Sequence, residues 1–237
     1  MNPEASSIAA RYARRAAKRD AELYHPLNLS VLMSTQERER ALHQWIRDWG
    51  PPAVRDLRVL EIGCGTGRTL LDLLRLGFQP ENMTGNDLLP DRLETARAIL
   101  PSGVRLIPGD AMDARFDPNS FDVVLQSTVF TSIIDRQFQV ALAARMWNWV
   151  SEAGGVLWYD FVYNNPSNQD VRGVPLRHVR ELFPNGVMTY SRHITLAPPI
   201  SRRVTRVHPH FYTLFNLLPL LRTHVLCWIE KRDPNAR

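Results

Sequence analysis

Three glycines alternate at Gly63, Gly65 and Gly67 directly after the apolar run Val59-Leu60-Glu61-Ile62, and a helical pattern from Thr66 to Leu76 follows them. Glycine at such a junction lets the backbone turn sharply and approach a ligand that a Cβ would hold off. The free N–H groups of the helix start favour an anionic group nearby. This spacing predicts a small-cofactor site at the carboxyl end of a parallel strand. Two familiar glycine loops do not fit. A dinucleotide fingerprint needs its third glycine at position 68, where Arg68 stands, and a phosphate-binding nucleotide loop needs a lysine that Gly67-Arg68-Thr69 lacks.

The acidic residues that follow have chemistry to match. Asp87 closes the next strand, twenty residues after Gly67. Its two oxygens can accept from both hydroxyls of a ribose, with a turn or an N-cap before Pro90 as the plainer use. Asp110, in Gly109-Asp110-Ala111-Met112, can accept from an adenine amino group while the Ala111 amide donates. Glu61 either holds the amides of the glycine loop or receives a cofactor amine. Gln126 and Ser127, at the end of a further strand, are expected to orient the reactive end of the cofactor while Phe130 and Ile133 exclude water. Asp135 serves as a helix cap or in catalysis, and Asp113, Asp117 and Asp122 read as turn residues.

The acceptor is expected at the polar segment that leaves Tyr159-Asp160-Phe161, where Tyr163, Asn164, Arg172 and Arg177 are candidate substrate contacts. The Asn164-Asn165-Pro166 stretch also reads as a simple turn. His178 and His193 are candidate bases for a hydroxyl acceptor, His178 reading more readily as an ordinary helix-surface residue. His208-Pro209-His210 lacks a third ligand at metal spacing, so no metal site is expected.

These residues need elements to hold them. Strands are predicted at 82–86, 104–107, 121–125 and 155–161, with helices at 90–100 and 136–151 between them, the alternation that buries a parallel sheet on both faces. The last third predicts a strand at 187–196, a short helix at 212–218 and a final strand at 224–230, the two strands pairing antiparallel at one edge. Before the first strand, helices at 8–23 and 35–49 form an extension over residues 1–50 that either packs as an outer layer or covers the cleft. Tyr12 and Tyr24 are candidate substrate contacts, with His25 beside them. The apolar segment 211–221 reads as core or as an interface.

At 237 residues and 44% hydrophobic composition the chain can bury one sizeable core, which predicts a single domain over 1–237. No apolar run is long enough to span a bilayer, the N-terminus lacks a secretory pattern, and two cysteines do not make a disulfide scaffold, so a cytoplasmic enzyme with no membrane partner is expected. The net charge of +5 is modest. Arg11, Arg14, Arg15, Lys18 and Arg19 read as a solvated helix face or as a contact for an anionic substrate. No zinc-finger spacing or basic tail supports nucleic-acid binding.

Together, Val59 to Gly67, Thr84-Gly85-Asn86-Asp87-Leu88, Gly109-Asp110-Ala111, Phe121-Asp122-Val123-Val124, Gly154-Gly155-Val156-Leu157 and Leu226 to Lys231 resemble the class I S-adenosylmethionine-dependent methyltransferases, in particular their broad small-molecule group. The resemblance covers residues 57–231. It implies a three-layer Rossmann-like α/β fold with a seven-stranded sheet in the order 3-2-1-4-5-7-6, strand 7 antiparallel. It also implies S-adenosylmethionine as cofactor and S-adenosylhomocysteine as product. Carried onto this chain, Gly63, Cys64, Gly65 and Gly67 approach the methionyl portion, Glu61 supports the loop, Asp87 and Leu88 meet the ribose, and Asp110, Ala111 and Met112 meet the adenine. Gln126 and Ser127 line the transfer region. The Asn-Pro-Pro-aromatic signature of many amino-directed nucleic-acid methyltransferases is absent, which favours a small molecule. The expected reaction is in-line O-methylation of a hydroxylated or sugar-containing metabolite by a monomer or homodimer. N-methylation, or cofactor binding without turnover, remain the alternatives.

Overall fold

The computed structural model describes residues 3–17, 25–164 and 168–231. Its centre is one seven-stranded sheet in the order β3-β2-β1-β4-β5-β7-β6. The strands are β1 Val59–Ile62, β2 Met83–Asp87, β3 Arg105–Pro108, β4 Phe121–Ser127, β5 Val150–Phe161, β6 Val187–Leu196 and β7 Arg222–Glu230. β7 runs antiparallel to both β5 and β6, and the pairs among β1 to β5 are parallel. Order and direction are those that the resemblance implies.

Strand alternation splits the core in two, because successive side chains point to opposite faces of a sheet. Leu60, Ile62, Val124, Val156 and Trp158 pack on one face with Phe130 and Trp149. Val59, Val123, Leu125, Leu157 and Trp228 pack on the other with Trp45 and Leu70. Since both faces are covered, β1 is buried at every position, Glu61 included.

Eight helices are described: α1 Pro3–Ala17, α2 Leu29–Trp49, α3 Arg68–Arg75, α4 Pro90–Ile99, α5 Arg136–Trp149, α6 Leu176–Leu182, α7 Pro198–Val207 and α8 His210–Asn216. Some bounds depart from the expected ones for local reasons. α2 starts six residues early because the Asn28 side chain accepts from the Ser30 amide and caps it there. α3 starts at Arg68, after the left-handed Gly67. α5 stops at Trp149 because Val150 already pairs with Phe121 across an irregular register. α7, rich in arginine and β-branched residues, was not foreseen, and the short α6 only through the helix-surface reading of His178.

The two N-terminal helices have separate duties. In α2, Trp45 is fully buried and meets Trp228 of β7 at 5.1 Å between ring centroids, with Trp49 stacked alongside at 5.5 Å. α1 lies elsewhere, across the carboxyl edge of the parallel strands.

Candidate functional site

Parallel strands all present their carboxyl ends to one edge, and the loops leaving that edge build a cleft. It measures about 720 Å³ including its open mouth. Gly63 lines it after β1, Asp87, Leu88 and Leu89 after β2, Gly109, Asp110 and Ala111 after β3, and Ser127, Thr128 and Val129 after β4. Ala5, Ile8 and Tyr12, one face of α1, close it from the side.

The three glycines do different things. All have positive φ, at 66°, 55° and 79°, a region where an L side chain is strained. A Cβ on Gly63 would lie 2.4 Å from Val129 Cγ2, so this glycine lets the β1 and β4 loops meet at the cleft. A Cβ on Gly67 would lie 2.6 Å from Leu100 Cδ1, which makes Gly67 a packing residue between α3 and α4. Gly65 presents its amide to Asp87 at 2.7 Å. Cys64 is 5% exposed and its Sγ fills the space over Gly85. Of the loop, Gly63 alone lines the cleft, a narrower contact than the resemblance implies.

Asp87 Oδ2 accepts from the Gly65 amide and Oδ1 from the Leu89 amide at 2.8 Å, so the carboxylate ties the glycine loop to the β2 turn and also faces the cleft. The turn role and the ligand-facing position coexist. Asp110 Oδ1 accepts from the Met112 amide at 2.9 Å, while Oδ2 is buried with no partner. An orphaned carboxylate oxygen is costly unless something donates to it, so this atom asks for a donor. Asn86, whose polarity at a buried strand end is unusual for the family resemblance, donates to the Ile107 and Gly109 carbonyls at 3.1 and 3.0 Å and so fixes the loop that carries Asp110.

Glu61 lies behind the loop and outside the cleft lining. It is 1% exposed, bonds to Thr69 in the first turn of α3, and is pushed up to about 8 by burial. Burial thus favours its neutral form, and its bond to Thr69 ties β1 to the α3 start. Arg38 of α2, nearby, pairs with Asp72 at 2.8 Å.

Several expected residues are elsewhere. Gln126 is 1% exposed and spent on the backbone, its Oε1 accepting from Val129 and its Nε2 donating to the Tyr159 carbonyl. It lines a smaller cavity with Arg38, Thr69 and Tyr159; Ser127 lines both that cavity and the cleft. Phe130 is fully buried against Trp158, with ring centroids 4.5 Å apart, so it supports the cleft wall from within the core. Met112 serves through its backbone. His178 does not reach the cleft: its Nε2 bonds Gln139 Oε1 at 2.8 Å and its Nδ1 bonds Glu181 at 3.1 Å, which fastens α6 to α5. His193 sits on edge strand β6, with three strands between it and β1. Neither histidine lines the cleft. Asp135 caps α5, accepting from the Gln137 amide at 2.8 Å. Tyr163, Asn164, Arg172 and Arg177 stand outside the cleft lining, Asn164 accepting from Gly173 at 3.0 Å. Tyr24 lies outside the described residues, as do Arg15's side chain, Lys18 and Arg19. Among the described residues no three His, Cys, Asp or Glu side chains converge on a metal-sized site.

Tyr12 does reach the cleft. Arg92 of α4 lies 4.3 Å above its ring, and its hydroxyl is 3.2 Å from Ser132 Oγ. Arg11, foreseen as surface or substrate contact, is buried: it pairs with Glu4 at 2.6 Å and donates to the Ser132 carbonyl at 3.0 Å. Glu4 in turn accepts from the Ile134 amide at 3.0 Å, and Arg14 pairs with Asp170 at 2.9 Å. The basic residues of α1 that are described thus clasp the helix down.

Sequence reasoning missed Arg92, Ser132, Ala5 and Ile8, and the conformation of Thr128, whose place beside Gln126 and Ser127 it foresaw. Ala5, Ile8 and Tyr12 were legible as one face of a helix. The conformation of Thr128 was not: this residue holds φ 59° at the end of β4, locked by the bond from its amide to the Tyr159 carbonyl at 2.8 Å, and no local residue signals it.

Comparison with known proteins agrees with this geometry. Residues 59–154 match a family described as "Methyltransferase domain". The chain is 38% identical over 78 residues to a malonyl-[acyl-carrier protein] O-methyltransferase of Bacteroides fragilis, a match covering 33% of this chain and 16% of that protein. It is 42% identical over 69 residues to the chloroplastic 2-methyl-6-phytyl-1,4-hydroquinone methyltransferase 2 of Oryza sativa, covering 29% of this chain and 20% of that one. The match thus spans a fifth or less of these curated relatives' length. Among solved structures, an S-adenosylmethionine-dependent methyltransferase from Mesorhizobium loti superposes with a TM-score of 0.58 at 15% identity, over 78% of this chain and 95% of that one, a likeness of fold.

Proposed function

We propose that this chain is a class I S-adenosylmethionine-dependent methyltransferase that uses S-adenosylmethionine as its cofactor and transfers a methyl group to a hydroxyl oxygen of a small molecule. The observation that carries the reading is the cleft itself. Asp87 and Asp110 line a space bordered by a glycine whose Cβ would have no room, and Asp110 keeps one buried oxygen, Oδ2, without a partner. Those features fit the nucleoside of the cofactor. Asp87 would hold the ribose, Asp110 would accept from the adenine amino group, and the Gly63 backbone would border the methionyl portion.

When bound, the cofactor supplies an electrophilic methyl group on a sulfonium sulfur. The chain's part is to bind and align it and to keep water out, since positioning alone accounts for a large share of such a rate. Ser127 borders both the cleft and the smaller cavity, with Thr128 beside it on the cleft side, and the acceptor is assigned to that junction. Ile8 and Ile133 line the cleft with apolar surface, and α1 shields it. With His178 and His193 away from the cleft, deprotonation is left to acidity in the acceptor itself, which favours a phenolic or carboxylic oxygen over an alcohol. The bacterial relative, named an O-methyltransferase, supports oxygen as the acceptor atom, and the plant relative, named for a hydroquinone, supports a small aromatic substrate.

The test has two stages. Calorimetry measures binding of S-adenosylmethionine; mass spectrometry then follows methylated product and S-adenosylhomocysteine over a panel of phenols, hydroquinones and carboxylic acids. Binding with an oxygen-methylated product supports the reading. Products methylated only at nitrogen would replace oxygen as the acceptor, and binding with no transfer to any panel member would point to a cofactor-binding module.

A further inference from the structure

β6 runs parallel to β5, so both end at the edge where the cleft lies, and the connection from β6 back to β7 emerges there. That connection holds α7 and α8. α8 is tied down on one side only: Tyr212, 1% exposed, donates to Glu37 Oε2 at 2.7 Å and accepts from the Leu196 amide, and Asn216 donates to Glu37 Oε1 at 2.7 Å. The opposite side is apolar. Phe211, Leu214 and Phe215 follow the i, i+3, i+4 spacing of one stripe of α8, Leu218 follows just past its end, and all four face solvent. Leu217 and Leu220 extend the patch at 65% and 89% exposure. An amphipathic helix normally turns such a stripe inward, and a contiguous outward patch marks an interaction surface.

The charge beside it selects the partner. From Leu182 to Ile229 the sequence contains no Asp or Glu but has five arginines. Arg203 and Arg206 of α7 are exposed, as are His208 and His210, and His208 meets His210 at 4.7 Å and Phe211 at 6.4 Å between ring centroids, so the basic and apolar groups adjoin. Apolar side chains beside unneutralised arginines match an anionic bilayer, which offers hydrocarbon under a layer of negative headgroups. A second copy of the chain, meeting the same patch about a two-fold axis, would instead bring arginines against arginines with no acidic residue of the segment to separate them.

We propose that the α7–α8 connection docks this protein onto the surface of an anionic lipid membrane. Phe211, Leu214, Phe215 and Leu218 enter the headgroup boundary and Arg203 and Arg206 contact the headgroups. No described helix is long and apolar enough to cross a membrane, so the contact is interfacial. The sequence alone pointed to no membrane partner; the outward stripe is what changes that reading. Docked this way, the edge that carries the cleft is close to the lipid, where a poorly water-soluble acceptor would be met.

The experiment is co-sedimentation of the full chain with vesicles of phosphatidylcholine alone and of phosphatidylcholine mixed with phosphatidylglycerol. Calorimetry of S-adenosylmethionine on the same proteins tests the functional reading separately. Expected is sedimentation with the anionic vesicles, lost with added salt. The double variant Leu214→Glu/Leu218→Glu should weaken it by roughly tenfold or more, and so should Arg203→Gln/Arg206→Gln. Because all four side chains are exposed or half-buried on the outer face, cofactor affinity and melting temperature should not move. Wild type remaining in the supernatant with both vesicles, or sedimenting equally with both, overturns the proposal. So does a concentration-dependent dimer that the leucine pair abolishes, which would make the patch an interface between copies.

Discussion

At the residue scale the site turns on which polar atoms are spent and which are free. Asp110 has one oxygen committed to its own turn and one waiting. Asp110→Asn keeps an acceptor for the Met112 amide but turns the free oxygen into a donor, so cofactor binding should weaken by about 10- to 100-fold, the worth of a hydrogen bond to a charged group. Titration calorimetry reads this, and an unchanged affinity would remove Asp110 from the nucleoside site. Gly63→Ala combines a left-handed backbone with a clash on Val129; it should cost about 1–2 kcal/mol of stability from the backbone alone and lose cofactor binding. Glu61 gives a pH signature. Its carboxyl has a folded value of about 8 against an ordinary 4.5 because burial disfavours the charge. Between those values the native state holds a proton that the unfolded chain has released, so its contribution makes stability fall as pH rises through the window. Glu61→Gln has no proton to lose. Its melting temperature should match wild type near the lower value and rise above it toward the upper one, and parallel curves would show that Glu61 is not buried as described.

At the element scale the two N-terminal helices predict opposite outcomes, although the sequence grouped them as one extension. α1 is held by the Glu4–Arg11 pair and its bonds to Ser132 and Ile134, and it covers a cleft that any ligand must enter. Arg11→Ala should loosen it and speed release of S-adenosylhomocysteine by about tenfold, equivalent to about 1.4 kcal/mol, as measured by stopped-flow fluorescence. An unchanged release rate would mean that ligands pass without moving α1. α2 cannot move in this way, because Trp45 is fully enclosed between Trp49 and Trp228. Trp45→Ala should cost about 3–5 kcal/mol, seen as a lower denaturation midpoint; a change of a few tenths would show that α2 is only draped on the sheet.

At the scale of the whole molecule, one edge of one sheet collects everything with chemical consequence. The cleft opens there because β1 to β4 are parallel, and the antiparallel return of β7 brings the α7–α8 connection to the same edge. The acceptor side and the proposed lipid contact therefore share an edge without sharing residues. Losing one should leave the other measurable.

The sequence by itself determined the strand–helix alternation, the glycine turn and the two acidic residues at strand ends, and with the resemblance it determined the sheet order. These are legible because strand period, helix period and the need for positive φ act locally along the chain. It did not determine where long side chains end. Gln126, Phe130, His178 and Arg11 have the right chemistry for a site, yet each is consumed by a partner distant in sequence: the Tyr159 carbonyl, Trp158, Gln139 and the Ser132 carbonyl. Periodicity marked part of α8 as helix but not which way it faced, because two hydrogen bonds to Glu37, 175 and 179 residues away, turn its polar side inward. Only the tertiary structure decides such pairings, since a side chain's partner is fixed by the packing of elements that are far apart in the chain.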